Sequence, residues 1–195
     1  LVARRPAVPG PLAGDSVRGR GPAAGAAACV RNLQGEDAHV VRTVHISDEP
    51  VRFAVVADGH GGKAAALKCT ECIVELILGY ANDASADALR GAGMRAFQQL
   101  HADVRTACNT DGSTLTVCML NQKRQELTTV HVGDSMAILV PRTAKGLPNL
   151  APPMRLTAEH RLNDSLAEQK RVRDSGGMVS RLVHPVTKEP AGPLR

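Results

Sequence analysis

The fold is decided by a ten-residue stretch, Phe53-Ala54-Val55-Val56-Ala57-Asp58-Gly59-His60-Gly61-Gly62. Residues 51–57 are apolar on both faces near their end, which is typical of a buried strand. Residues 39–46 form a second strand-like run, and the Asp48-Glu49-Pro50 corner between the two runs predicts a hairpin turn. Asp58 and the glycines that follow residues 51–57 therefore lie at the open end of a hairpin.

The rest of the chain predicts further strands and helices. Helices are expected at 63–79, with Gly79 as the stop, at 85–107, with an interruption near Gly91 and Gly93, and at 164–174, closed by Gly176-Gly177. Strands are expected at 113–120, 126–132, 136–141 and 154–157, whereas residues 178–195 contain three prolines and predict an open-ended segment. Hairpin-linked strands with two long helices between them indicate an α+β fold in which helices pack on antiparallel sheet.

The composition separates a basic tail from a nearly neutral body. Residues 1–28 are rich in Ala, Gly, Pro and Arg, and they hold four Arg against one Asp, which is +3 of the net charge of +5. Such a segment buries too little surface to fold, so we predict a disordered tail over 1–28. The neutral body and the 2% aromatic content argue against nucleic-acid binding.

The sequence also bears on location. The five cysteines are scattered and include one isolated pair, Cys69 and Cys72, so we expect helix-core thiols in a reducing compartment rather than disulfides or zinc. No run of 18 apolar residues predicts a membrane span. A cytoplasmic or nuclear protein is expected. Because the tail is Arg-rich and poor in acids, organelle targeting is the alternative.

Four acidic residues, at three places in the chain, predict a metal site. Asp58 follows a buried strand, and its neighbouring glycines let backbone carbonyl groups approach a ligand. The hairpin would bring Glu36 and Asp37 near it, and Asp134 lies in a tight turn between two apolar strands. Carboxylate and carbonyl oxygens suit Mg²⁺ or Mn²⁺. Each feature alone is commonly a solvated loop or a turn, so the joint order of the features carries the hypothesis.

The same features resemble the metal-dependent Ser/Thr protein phosphatases of the PPM, or type 2C, family. Five blocks occur in the family's order over residues 30–182. They are Glu36-Asp37-Ala38-His39, the stretch 53–62, Gly112-Ser113-Thr114, Val132-Gly133-Asp134-Ser135-Met136-Ala137, and Leu156-Thr157-Ala158-Glu159-His160 with Glu168, Arg171 and Gly176-Gly177. The resemblance implies a layered sandwich of antiparallel sheets flanked by helices, with residues 29–195 as the N-terminal portion of the phosphatase domain.

The resemblance also implies roles for individual residues. Asp58 would bridge two Mn²⁺ or Mg²⁺ ions, and Glu36 and the Gly59 carbonyl would complete one ion's protein ligands. Asp37 would orient water in the outer shell, and Asp134 would lie near a third, weaker metal site. His60 would be the general acid for the leaving serine or threonine oxygen. The expected partners are phosphoprotein substrates, with neither nucleic acid nor membrane, and a monomer is expected.

The sequence departs from the family's pattern in two places. Asn32 stands where the family has a phosphate-binding arginine, and Arg31 is one residue away and is our candidate for that role. The family's later Asp-Gly aspartate and final aspartate, both ligands of the other metal, have no counterpart before Arg195. We therefore expect a fragment that lacks the C-terminal part of the domain. A degenerate domain that binds phosphoproteins without turnover is the alternative.

Two other enzyme classes fit less well. A serine hydrolase using Ser135 would need Gly-x-Ser-x-Gly at a strand-to-helix turn, but Ala137 and a strand follow here. A nucleotide-binding P-loop at Gly61-Gly62-Lys63 would need an earlier glycine and a Ser or Thr after the lysine.

Overall fold

The computed structural model describes Val17–Arg18 and residues 35–108, 110–143, 151–183, 186–187 and 189–194. The elements in chain order are β1 (Val17–Arg18), β2 (Ala38–Ile46), β3 (Glu49–Ala57), β4 (Gly59–His60), α1 (Ala64–Tyr80), α2 (Ala86–Ala107), β5 (Gly112–Ser113), β6 (Leu115–Asn121), β7 (Glu126–Val132), β8 (Ile138–Leu139), β9 (Met154–Arg155), α3 (Leu166–Asp174), β10 (Arg181–Val183) and β11 (Pro190–Leu194). The strands pair antiparallel, so the predicted α+β class with antiparallel sheets and helices is confirmed.

The chain divides into two compact units, and each is described by itself. One unit comprises residues 13–157, and the other comprises residues 158–195 together with 1–12. The first unit holds a five-stranded sheet in the order β1-β7-β6-β3-β2 and both long helices. All of the predicted metal ligands belong to this unit.

The predicted hairpin is the pair β2–β3, but its turn lies earlier than expected. Ser47 and Asp48 are the two turn residues, with φ of 48° and 61°. A two-residue turn with both φ angles positive matches the right-handed twist of the flanking strands. Glu49 and Pro50 therefore already belong to β3, and Pro50 pairs with His45. The turn therefore lies at residues 47–48 and not at the predicted 48–50, because proline is tolerated at the start of a strand.

The core lies between one face of this sheet and the two long helices. Val51, Phe53 and Val55 are at most 1% exposed, and they alternate along β3 with more exposed neighbours. α1 and α2 contribute buried residues at helical spacing, among them Ile73 and Leu89. Each large aliphatic side chain buried in this way contributes roughly 1.5–3 kcal/mol, so an aliphatic core stabilises the unit, as the composition predicts.

The helices correct two sequence predictions. α2 runs unbroken through Gly91 and Gly93. Gly93 is there for packing, because a Cβ atom at this position would lie 3.0 Å from both methyl carbons of Val130. α1 also continues past Gly79 to Tyr80, since glycine in a helix lowers stability by roughly 0.5–1 kcal/mol without breaking it.

The two ends of the chain also add to the predictions. Residues 178–195 are not open-ended throughout, because β10 and β11 form a two-stranded antiparallel pair with Val183 opposite Pro190. Of the predicted tail, the structure describes Val17–Arg18, which pair with β7. The remainder of residues 1–28 lies outside the described residues, so its disorder stays a prediction.

Cys69 is buried in α1, where burial raises the pKa of its thiol to about 11, and Cys72 is half-buried on the same helix.

Within the described ranges, none of the helices combines the length and the apolar character that a membrane crossing requires.

Candidate metal centre

The register of the β2–β3 hairpin places two predicted ligands opposite each other. Ala38 pairs with Ala57 at the open end of the hairpin, which leaves Asp37 and Asp58 as the next residues on either strand. The Asp37 carboxyl group acts on that of Asp58 and contributes to raising its pKa. The approach that the sequence predicts between the acidic pair and Asp58 is therefore present in the structure.

Gly59 allows the chain to close tightly at this point. A Cβ atom on Gly59 would collide with the backbone carbonyl oxygen of Glu36 and would lie 3.2 Å from the Cβ atom of Ala66. The absence of a side chain thus lets the backbone of Glu36 lie against Gly59. These contacts bring the predicted ligands Glu36, Asp37, Asp58 and Gly59 to one end of the hairpin.

The electrostatics of Asp58 show how crowded this end is. Partial burial of its carboxyl group raises its pKa, and the negative charges of Asp37 and Asp134 raise it further, while His60 opposes them. All three predicted partners therefore lie within electrostatic reach of Asp58. Carboxylates that repel one another in this way favour the binding of a cation between them.

The backbone of Asp58 is held by the two residues that precede β6, Ser113 and Thr114. Its carbonyl oxygen accepts hydrogen bonds from the Thr114 N–H group at 2.8 Å and from the Ser113 hydroxyl group at 3.1 Å. Its own N–H group donates to Thr114 Oγ1 at 3.1 Å. Both backbone groups of Asp58 are thus satisfied by two adjacent residues, Ser113 and Thr114, which fixes the position from which its side chain extends.

Asp134 is brought to the site by the β6–β7 hairpin. Leu115 pairs with Val132, so Thr114 and Gly133 lie just beyond the ladder. Gly133 has φ of 93°, and a Cβ atom there would meet Thr114 Cγ2 at 2.6 Å. A left-handed, side-chain-free residue is therefore required for the turn that carries Asp134.

His60 is exposed and is the last residue of β4, two positions after Asp58. β4 pairs with β5, and Gly112 lies opposite His60. The next two residues, Gly61 and Gly62, have φ of 74° and 139°, and this glycine turn leads into α1. A side chain on Gly62 would run into the carboxylate of Asp111, so the turn is closed by contact with a second chain segment.

Asp111, Ser113 and Thr114 are residues that sequence reasoning missed as parts of the site. Asp111 Oδ2 accepts a hydrogen bond from the N–H group of Ala64 at 3.0 Å, at the beginning of α1. The helix has no side-chain cap of its own, so Asp111 satisfies one of its unpaired N–H groups. The block Gly112-Ser113-Thr114 signalled only the opening of a strand, and no local pattern indicates such distant partners.

The donor set fits a hard divalent cation. Its side-chain donors are carboxylate oxygens, as Mg²⁺ and Mn²⁺ prefer. In the parts of the chain that the structure describes, no three His, Cys, Asp or Glu side chains are arranged to hold a metal ion together.

The remaining predicted residues lie elsewhere. Arg31, the candidate for phosphate binding, and Asn32 are outside the described residues. In the second unit, Glu168 and Arg171 form an ion pair within α3, with Arg171 Nη2 donating to Glu168 Oε1 at 2.6 Å. These two residues of the last family block thus stabilise a helix whose N-terminal cap is Ser165.

Comparison with known proteins decides the family. A family model described as Protein phosphatase 2C matches residues 25–188, well over half of the chain. The chain belongs to the protein phosphatase 2C family. Among its curated relatives are probable protein phosphatase 2C 15 and 2C 5 of Arabidopsis thaliana, which are 32% and 30% identical to it over 78% and 83% of its length.

The chain spans little more than a third of those protein phosphatase 2C relatives, 35% and 38% of their respective lengths. Two solved structures share its fold. A Caenorhabditis elegans sex-determining protein aligns over 94% of this chain and 40% of its own, with a TM-score of 0.61 and 22% identity. The serine-threonine phosphatase 2C of Toxoplasma gondii aligns over 82% of this chain and 55% of its own, with a TM-score of 0.57 and 20% identity.

Proposed function

We propose that this chain carries the Asp58-centred part of the active site of a metal-dependent phosphatase that hydrolyses phosphoserine and phosphothreonine on proteins. One observation carries the proposal: the carboxyl groups of Asp37 and Asp134, which come from two other chain segments, both act on that of Asp58 at the open end of a hairpin. His60 is two residues from Asp58. Family membership gives this cluster a reaction class.

The residues that would hold Mn²⁺ or Mg²⁺ are the ones that the family resemblance implies. Asp58 would serve as the shared ligand, with Glu36 and the Gly59 carbonyl oxygen beside it. Asp37 would act from the outer shell. A complete domain would hold two ions, with a third, weaker site at Asp134. Bound divalent cations supply Lewis acidity that activates water and neutralises phosphoryl oxygens.

His60 would act on the leaving group. A serine or threonine alkoxide leaves poorly, and a histidine side chain can donate a proton to its oxygen. The β4–β5 pairing and the glycine turn after His60 hold it beside Asp58. Arg31 would bind the substrate phosphate, as a guanidinium group can with two parallel hydrogen bonds.

The partners would be phosphoproteins, and we propose an intracellular monomer that requires neither nucleic acid nor membrane. The inactive, phosphoprotein-binding alternative gains no support from the family match, since the curated relatives carry the name of protein phosphatases. None of the described contacts favours it either.

The proposal is tested by hydrolysis of p-nitrophenyl phosphate with and without Mn²⁺. In a protein that also carries the ligands of the other metal, p-nitrophenol is expected to be released only with Mn²⁺, and Asp58→Asn should lower the rate by at least about 100-fold, because it removes a ligand rather than a supporting contact. Asp48→Asn, the same exchange in the turn at the far end of the hairpin, is the matched control. Equal rates for Asp58→Asn and Asp48→Asn would contradict the proposal.

The same assay separates the role of His60. For His60→Gln, hydrolysis of a phosphothreonine peptide should fall by about 100-fold, the lower range for loss of a general acid. Hydrolysis of p-nitrophenyl phosphate should fall much less, because p-nitrophenolate leaves without protonation. An equal loss on both substrates would refute the assignment of His60 as proton donor.

A further inference from the structure

Thr114 contacts both the residue Asp58 and the turn that carries Asp134. Its Oγ1 atom accepts the N–H group of Asp58 at 3.1 Å and lies 2.6 Å from Ser135 Oγ, the residue after Asp134. Because Oγ1 already accepts from Asp58, its own proton is available for Ser135. A single hydroxyl group therefore joins the Asp58 backbone to the Asp134 turn.

The methyl group of Thr114 acts on the same turn. The space in which a Gly133 side chain would stand is taken by Thr114 Cγ2 and Cβ, at 2.6 and 2.8 Å from the Cβ position. The Asp134 turn is thus held by packing on one side and by the Ser135 hydrogen bond on the other. The Thr114 N–H group, through its 2.8 Å bond to the Asp58 carbonyl oxygen, completes the connection.

A second threonine nearby, at the start of β6, shows that these contacts are not general to this part of the chain. Thr116 is 5% exposed, two residues further along, and its hydroxyl group has no hydrogen-bond partner in the structure. The two side chains are chemically identical, yet only Thr114 links the two carboxylate-bearing segments. They form a natural pair for a comparison.

We propose that Thr114 is a positioning residue that fixes the Asp58 and Asp134 carboxylates relative to each other, so that they bind divalent cations as one preorganised unit. This inference rests on the proposed function, since it assigns these carboxylates to a metal. Its physical basis is general: groups that orient metal ligands are typically worth about 10- to 100-fold in metal affinity, because a ligand that must be ordered on binding lowers the affinity.

The test is the affinity of the 195-residue chain for Mn²⁺, measured by titration with electron paramagnetic resonance detection of free Mn²⁺. Thr114→Val keeps the shape and removes the hydroxyl group, and it should weaken binding by about 10-fold. Thr114→Ser restores the hydroxyl group and should recover most of the affinity. Thr116→Val, the matched control, should leave the affinity unchanged, because its hydroxyl group has no partner to lose.

Thermal unfolding of each variant without metal separates positioning from simple stability. Equal Mn²⁺ affinity of Thr114→Val and the unaltered chain would overturn the inference and leave the proposed function standing. Failure of the unaltered chain to bind Mn²⁺ would overturn both. Should Thr114→Val not fold, Ser135→Ala takes its place: it removes the other hydroxyl group, and unchanged affinity in that variant would likewise overturn the inference.

Discussion

Gly59 is the residue on which the geometry of the site depends most directly. It lies in β4, and the carbonyl oxygen of Glu36 occupies the space in which its Cβ atom would stand. Any side chain would push the start of β2 away from the end of β3. The approach of Asp37 to Asp58 therefore depends on the absence of a Cβ atom at position 59.

Gly59→Ala is expected to lower the free energy of unfolding by about 1–3 kcal/mol, the usual cost of forcing an extra methyl group into a packed position. Gly79→Ala is the matched control. Gly79 lies within α1, with nothing within 4 Å of its Cβ position, so alanine should raise stability by roughly 0.5–1 kcal/mol. Urea unfolding of both variants checks the opposite signs. A neutral or stabilising Gly59→Ala would show that Glu36 can move away freely.

Sequence reasoning found the charged residues of the site but not the residues that hold them. Asp58 and Asp134 were predicted because acids beside glycines at strand ends are a local pattern. Asp111 and Thr114 act through hydrogen bonds to Ala64 and Asp58, which lie 47 and 56 positions away in sequence. Such contacts follow from the register of distant strands, which periodicity along one segment does not contain.

The hairpins that bring the carboxylates together are themselves joined at their far ends. Asn121 is fully buried, and its Nδ2 atom donates to Glu49 Oε2 at 2.7 Å and to the Ala84 carbonyl oxygen at 2.8 Å. Arg124 donates to both carboxylate oxygens of Glu49, at 2.6 and 2.9 Å. This cluster connects the start of β3, the loop between the long helices and the β6–β7 turn, and so stabilises their registers.

The Glu49 cluster predicts a specific dependence of stability on pH. The Arg124 guanidinium, aided by Asn121 and weakly by Lys123, lowers the pKa of Glu49 to about 2 from 4.5. A depressed folded-state pKa stabilises the fold above the unfolded value, and that stabilisation is lost as pH falls from about 4.5 to about 2. Glu49→Gln should therefore be less stable than the unaltered chain at pH 7, and the difference should shrink across this window.

Urea unfolding at a series of pH values measures that difference. Glu75→Gln is the matched control, because its partner Arg42 is a surface residue and both side chains are at least half exposed. Surface ion pairs contribute little to stability, so this variant should differ little from the unaltered chain at any pH. A constant gap between Glu49→Gln and the unaltered chain from pH 7 to pH 2 would contradict the role given to Glu49.

Elements with a clear period were predicted close to their observed length, whereas short elements were predicted too long or not at all. β2, β3, β6 and β7 are 7 to 9 residues long, enough to show alternation or an apolar run. β4 and β5 have two residues each and exist because neighbouring hairpins align them. The pairing of β10 with β11 was missed because prolines disfavour strands, although they are tolerated at strand edges.

At the scale of the whole molecule, family membership agrees with the order of the blocks and with the antiparallel fold. The carboxylate cluster is nevertheless costly to the metal-free protein, because Asp37 and Asp134 repel Asp58 in a partly buried position. Functional sites commonly reduce stability in this way. A bound cation would replace this repulsion by attraction. The proposed function therefore predicts that metal binding stabilises the whole fold.

Mn²⁺ is therefore expected to stabilise the unaltered chain, by about 2.7 kcal/mol at a free concentration 100 times its dissociation constant. Without metal, Asp58→Asn should be at least as stable as the unaltered chain, because the amide ends the repulsion. With Mn²⁺ the order should invert, since the variant gains little. Thermal melting with and without Mn²⁺ measures both effects, and Asp48→Asn should keep the full metal-dependent shift. An equal shift in Asp58→Asn would mean that Mn²⁺ binds elsewhere, and the inversion is the outcome that a purely structural role for Asp58 does not produce.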